Sequence, residues 1–240
     1  MSLFDTNNNI PSDITMDSQI TLVDSDPDSE LAPPDPAFGA TTILDFDNNV
    51  RRSTNATLRG QSHIRYSVGT VRTGLAGMSR KTVFSQGERI LATVQRRNII
   101  PDVLTLDGLT MRLGCWLKTP IFSSFPASFR EGRETYRWKK GRDGRIDLHK
   151  GSGANTSTIA RFYPSDFVVT RDRRRIKYRA HLDLRAEADL IREKVFISCV
   201  LIVQKTKRRA KAKEQELDLV SPNGDLGLIV FYAIAPVLGF

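Results

Sequence analysis

Between Thr41 and Leu184, apolar and polar residues alternate along most of the chain. That is the period of a β-strand with one buried face. Ile64, Tyr66 and Val68 share a face with Arg65 and Ser67 opposite, and Ile90, Ala92 and Val94 repeat the arrangement. Leu109, Met111, Leu113, Cys115 and Leu117 predict one long strand. Tyr136 and Trp138 alternate with Arg137 and Lys139, and Ile146 and Leu148 with Asp147 and His149. The clearest run is Ile176, Tyr178, Ala180, Leu182 and Leu184, interleaved with Lys177, Arg179, His181 and Asp183. Between the runs fall Gln86-Gly87, Asp107-Gly108, Gly141-Arg142-Asp143-Gly144 and Lys150-Gly151-Ser152-Gly153. These are hairpin signals, because Gly and Asn/Asp tolerate the positive φ of tight turns. Short strands joined by short turns predict a mainly β fold, an antiparallel meander that is closed or sandwiched.

One segment departs from this pattern. From Ala186 to about Lys213 there is no Gly or Pro, and Ala, Glu, Leu, Arg and Lys dominate the ends. That composition predicts a helix over about 186–213. Its centre, Val195 to Val203, is apolar on every side, so it is buried all round or lies in lipid. The run is much shorter than the roughly 20 residues a bilayer span needs, which places it inside the β-structure, as a helix through a barrel. The competing reading is a buried strand, which the β-branched content supports. Residues 1–40 combine Asn, Asp, Ser and Pro with few large apolar groups, too few to offset the entropy of ordering, and predict a disordered acidic tail. Residues 41–213 form the domain, and 214–240 an apolar extension. Its stretch Leu226 to Phe240, interrupted by Gly227, Pro236 and Gly239, is too short for an ordinary membrane anchor. It favours a last strand or a groove-packed tail over membrane contact.

Charge sharpens the division. The first fifty residues carry ten acids and no Lys or Arg, so all 36 basic residues lie beyond them with seventeen of the 27 acids. A tail of −10 thus precedes a body of +19. Such a body either seeks an anion, with the tail tuning access, or carries its charge over solvated strand faces. Cys115 and Cys199 sit among apolar neighbours, which predicts buried free thiols and no disulfide framework. The opening residues lack a basic start and an apolar run, so no signal peptide is expected. An intracellular place follows, cytoplasmic or peripheral at a membrane, where the sequons at Asn55 and Asn155 go unused.

No motif predicts catalysis or a cofactor. His63, His149 and His181 share no metal-ligand spacing and alternate out of apolar faces, as exposed strand residues do. No Ser occupies a nucleophile elbow, and an apolar setting would leave Cys199 inert. Gly69 to Gly74 has the glycine spacing of a phosphate loop but continues into Leu75-Ala76, without the Lys-Ser/Thr that grips phosphate and magnesium. What remains is basic. Arg137, Lys139, Lys140, Arg142 and Arg145 span one hairpin. Arg171, Arg173, Arg174, Arg175 and Lys177 form a second group, and Lys205, Lys207, Arg208, Arg209, Lys211 and Lys213 a third. Cations near a helix C-terminus offset its dipole, but six in nine residues exceeds that need. Such clusters meet anionic lipid headgroups or nucleic-acid phosphates. Tyr136 and Trp138 point away from the basic side of their strand, which weakens a stacking platform for single strands and favours lipid. The candidate anion-binding residues are Arg137, Lys139, Lys140, Arg142, Lys205, Lys207, Arg208 and Arg209. A nucleic-acid module and a ligand-free interaction scaffold are the alternatives.

The order of Tyr136-Arg137-Trp138-Lys139, Ile146-Asp147-Leu148, Ile159-Ala160-Arg161-Phe162 and the apolar helix running into Gln204 to Arg209 resembles a fungal family. It is the domain of unknown function numbered 6593, and the resemblance covers roughly 42–213. That family is in turn similar to the tubby, phospholipid-scramblase and LURP-one-related superfamily. The resemblance implies an antiparallel β-barrel closed around a hydrophobic C-terminal helix, no catalytic activity, and for some members phosphoinositide binding or action at membranes. It assigns no lipid-binding residue to this chain.

Overall fold

The computed structural model describes residues 29–33, 35–48, 50, 53–73, 79–97, 100–141, 143–151, 156–169 and 175–220. Residues 1–28 of the predicted tail, Arg142, the Leu75-Ala76 step, Asn155, Arg171, Arg173, Arg174 and the stretch from Leu226 lie outside them. The strands are β1 (Ser29–Glu30), β2 (Thr42–Phe46), β3 (Thr54–Leu58), β4 (Gln61–Thr73), β5 (Ser79–Gln86) and β6 (Arg89–Arg96). They continue with β7 (Val103–Leu106), β8 (Leu109–Arg112), β9 (Ala127–Glu131), β10 (Glu134–Lys140) and β11 (Ile146–Lys150). The last are β12 (Ser157–Tyr163), β13 (Asp166–Val169), β14 (Arg175–Tyr178) and β15 (His181–Leu184). The helices are α1 (Leu113–Trp116), α2 (Ala186–Asp189) and α3 (Arg192–Val220).

Twelve strands make one antiparallel sheet in the order β8-β7-β6-β5-β4-β3-β2-β15-β12-β11-β10-β9. The sheet curls around α3, whose contacts reach strands from both halves. The Phe196 ring stacks on Phe46 of β2 at 6.0 Å, tilts on Tyr66 of β4 at 5.0 Å and meets Phe84 of β5 edge-on at 6.4 Å. From the other half, the Trp138 indole N–H of β10 donates to Ser198 Oγ at 3.0 Å, and that hydroxyl donates to Val195 O. Val195 to Val203 are all buried, as expected for a helix apolar on every side. The strand alternative for this segment is therefore set aside.

Strand pairing does not close the sheet into a barrel. Its edges are β8 and β9, and among the described residues no ladder joins them; an isolated antiparallel bridge ties Ser128 of β9 to Lys118, beyond α1. The reason lies at Leu113. The expected strand from Leu109 to Leu117 ends at Arg112, and the chain turns into α1, which buries Trp116 and Leu117 and leaves Cys115 exposed. Trp116 stacks on Phe129 of β9 at 5.5 Å. Short apolar runs suit a strand or a helical turn equally, and packing against Phe129 selects the turn.

Other expectations change for local reasons. Ile90 is exposed, because a bulge in β6 places Leu91 and Ala92 together in the core. An extra residue on one strand flips everything on one side of it to the other face. The run from Ile176 to Leu184 divides between two sheets. β14 joins β1 and β13 in a small three-stranded sheet, and β15 enters the large one between β12 and β2. His181, expected at the surface, is buried. It stacks at 4.4 Å on Tyr163, whose hydroxyl donates to Asp35 in the stretch expected as a disordered tail. The segment from Ser29 to Phe38 lies across the outer face of β12 and β15. β1 pairs with β14, Tyr163 Oη and Arg161 donate to Asp35, and the Phe38 ring is held between the Arg161 and Arg185 guanidinium groups. The predicted helix over 186–213 is broken by a turn at Leu190 and Ile191, and α3 continues to Val220. Among the described residues no helix is long and apolar enough to cross a membrane.

Candidate anion-binding site

The sheet opens at two ends along α3. Antiparallel pairing brings the end of β4, the start of β5, the end of β6 and the end of β10 to the opening where α3 leaves. On the concave face of β4–β6, Val68, Thr82, Phe84 and Val94 are buried. Continuing outward on that face come Thr70, Arg72, Arg80 and Arg96. The ladder sets Arg72 opposite Arg80, and Arg80 opposite Arg96. Like charges directly opposite one another destabilise a sheet, so these arginines are not there for sheet stability. The Thr70 and Thr82 hydroxyls bond each other at 3.0 Å beside them.

Across this face, α3 presents Lys207, Arg208 and Lys211. Together with Val50, Ser53, Thr70, Arg80, Thr82, Arg96 and Gln204 they line a pocket of about 650 Å³. That volume is in the range of small-ligand sites, about 300–1,000 Å³. Among the described residues, five cations line it and no Asp or Glu does. Arg96 reaches Gln204 Oε1 at 3.4 Å through its terminal nitrogen, while its Nε is buried without a hydrogen-bond partner. Burial holds the Arg96 guanidinium below its ordinary pKa; Asp102 opposes this and Arg80 adds to it. A smaller pocket of about 270 Å³ shares Arg96 and Arg208 and adds Asp102, Leu117, Thr119 and Lys205.

The predicted site residues divide. Lys207 and Arg208 line the main pocket and Lys205 the smaller one. Lys205 and Arg209 also bind the loop before β9. Lys205 Nζ donates to Thr119 Oγ1, and Arg209 to the carbonyl of Ile121. Burial lowers the Lys205 ammonium pKa, and Arg209 lowers it further. The next side chains of this loop, Ile121 and Phe122, are 81% and 96% exposed. Arg137, Lys139 and Lys140 are exposed on β10, whose last residue, Lys140, lies at the same opening by register. Arg142 is outside the described residues. Arg80 and Arg96 are candidate residues that the sequence reading did not single out. Their signal would have been the cross-strand register of β5 and β6.

Elsewhere the titratable groups are structural in setting. Burial pushes the Cys199 thiol far up and the His181 imidazole down. Asp183 is fully buried on the outer face of β15, with neither oxygen hydrogen-bonded and His181 Nε2 at 3.9 Å. Burial pushes its carboxyl up to about 6 against the pull of Arg59. Among the described residues no three His, Cys, Asp or Glu side chains gather as a metal site requires.

Comparison with known proteins adds one finding. The model of the Family of unknown function (DUF6593) matches residues 48–209, about two thirds of the chain. The chain belongs to that family. The DUF6593 match begins after β2 and ends within the cationic stretch of α3, so it takes in Arg80, Arg96, Lys207 and Arg208 and stops short of Lys211. The segment from Ser29 to Phe38 that covers β15 is outside it. No curated protein and no solved structure matches the chain.

Proposed function

We propose that this DUF6593 protein is a non-catalytic module that docks on anionic membrane lipid with the opening where α3 leaves the sheet. One observation carries the reading: a rim lined by cations, and by no carboxylate among the described residues, stands beside an exposed apolar loop tip, Ile121–Phe122. Each basic residue near an anionic bilayer contributes about 1 kcal/mol, and an apolar tip gains from entering the acyl boundary. Lys205 and Arg209 fix the loop to α3, so the apolar tip and the cations present themselves together. A sheet curled around an apolar helix, though not closed by strand pairing, supports the resemblance to tubby-like and scramblase-like domains and with it the same reading. Nucleic acid is the weaker partner, because Tyr136 and Trp138 are buried in the core and offer no stacking face.

The test is flotation with vesicles at physiological salt, carrying phosphoinositide, phosphatidylserine at equal total charge, or neutral lipid alone. Both anionic vesicles should carry the protein and neutral vesicles should not. Lys207→Gln/Arg208→Gln/Lys211→Gln should weaken anionic-vesicle binding by about a hundredfold, at about 1 kcal/mol per charge. Flotation that is absent, or that this variant leaves unchanged, removes the reading.

A further inference from the structure

The pocket at this opening does more than add charge to a surface. We infer that it is a built site for a phosphomonoester group, with Arg80, Arg96, Lys207 and Arg208 as its donors; the inference rests on the membrane reading only for where such a phosphate comes from. Three observations converge on it. First, the arginines of β5 and β6 stand directly opposite each other on the concave face. Two guanidinium groups in that position repel, unless an anion sits between them.

Second, Arg96 is partly enclosed, and its Nε is buried with no acceptor. An unpaired buried N–H costs about 1–3 kcal/mol, more when it is part of a charged group. A phosphate oxygen supplies the missing acceptor, and a guanidinium offers two parallel N–H groups to two oxygens of one phosphate. Third, the remaining lining suits the same ligand. The Ser53 hydroxyl, and whichever of Thr70 and Thr82 accepts in their mutual hydrogen bond, can donate to phosphate oxygens, and among the described residues no carboxylate lines the pocket. A carboxylate ligand would satisfy one arginine. A phosphomonoester has three terminal oxygens and up to two charges, and so can bridge several of these donors. The volume of about 650 Å³ leaves room for the group that carries the phosphate.

Two sources share this chemistry, a phosphorylated lipid headgroup and a free soluble polyphosphate such as an inositol phosphate. Titration calorimetry on the full chain separates them, using inositol trisphosphate, inositol hexakisphosphate, inorganic phosphate and dioctanoyl phosphoinositide as probes. Binding of at least one phosphomonoester probe is expected, and Arg80→Gln and Arg96→Gln should each weaken it by about tenfold or more. Arg96→Lys keeps the charge without the forked donors and should recover only part of the loss. The exposed pair Arg137→Gln/Lys139→Gln, on β10, should leave binding unchanged.

Should Arg96→Gln fail to fold, the exposed Arg80 carries the test alone. If the soluble probes bind and vesicles do not float, the phosphate site stands and the membrane reading fails. If vesicles float while no probe binds, or if the β10 pair weakens probe binding as much as Arg80→Gln, the pocket is not the site.

Discussion

One helix, threaded through one sheet, has opposite surroundings at its two openings. Where α3 enters, every charge that it presents meets an opposite one. Lys194 donates to Glu131 at 2.7 Å and lies 3.3 Å from Asp107, Arg192 holds Asp189 at 2.6 Å, and Arg89 pairs with Glu193. Where α3 leaves, Arg80, Arg96, Lys207, Arg208 and Lys211 gather around a pocket that no acid lines among the described residues. The same composition of charged residues thus does two jobs. Paired charges at the first opening tie the β7–β8 and β9–β10 turns to the helix; at the second, cations of β5, β6 and α3 converge on one pocket, with Arg80 directly opposite Arg96. A basic net charge alone separates neither setting from the other, because where the charges stand decides which it is.

The two openings share the waist around Phe196, and breaking that waist should abolish the distinction. Phe196→Ala removes a fully buried ring that packs on Phe46, Tyr66 and Phe84. Such truncations cost about 3–5 kcal/mol. At roughly 2–4 °C per kcal/mol for a domain of this size, thermal melting should fall by about ten degrees or more. Vesicle flotation measured above the new midpoint should fail together with the fold. A variant that melts like the parent would mean that Phe196 is not the packing centre of the two halves.

A change outside both openings should alter stability and leave the ligand end intact. Asp183, beneath the segment from Ser29 to Phe38, has its carboxyl pushed up to about 6 from an ordinary 3.8. The folded state therefore binds this proton more tightly than the unfolded chain does. Asp183's favourable contribution is complete below about pH 4 and is lost as pH rises through 6. Asp183→Asn escapes that loss. Its melting temperature relative to the parent should rise between pH 4 and 6 and level off above about 7, with a total change of at most about 3 kcal/mol. Melts at pH 4, 5.5 and 8 check this, and a difference independent of pH would remove Asp183 as the group responsible. Flotation at pH 7.4 should not change.

How far these features were legible in the sequence follows from what each depends on. The helix 195–203 was readable, because nine residues apolar on all sides have few places to go. Tyr136, Trp138, Ile146 and Leu148 were readable as a buried face, since a β-hairpin keeps its period of two. The arginine pair was not. Continuing the turn register Gln86–Arg89 without interruption would set Arg80 against Gln95; the bulge at Leu91 moves it to Arg96. A bulge is one residue of tertiary fit, and no local pattern announces it. His181 and Asp183 were misread for a related reason. Alternation shows which face a side chain takes, whereas the cover over the second face comes from Ser29–Phe38, about 150 residues away in the chain. The cationic stretch of α3 was visible as composition, but its division into pocket-lining Lys207 and Arg208 and loop-binding Lys205 and Arg209 needed the helix phase against its neighbours.

The smallest expected effect is the one that tests the comparison most directly. Lys194→Met removes the cation shared by Asp107 and Glu131 and keeps an unbranched stem of similar reach. All three side chains are partly solvated, so the loss should be about 1 kcal/mol, not the several expected for a buried pair. Melting should fall by about 2–4 °C, and high salt should shrink the difference because screening already weakens such pairs. Vesicle and phosphate binding should stay at the level of the parent, although the variant loses one positive charge just as Lys207→Gln does. That contrast is the decisive reading. If binding responds only to net charge, the two single variants will weaken it equally, and the cations at the far opening are no more a site than Lys194 is. If Lys207→Gln weakens binding and Lys194→Met affects only melting, position accounts for the difference.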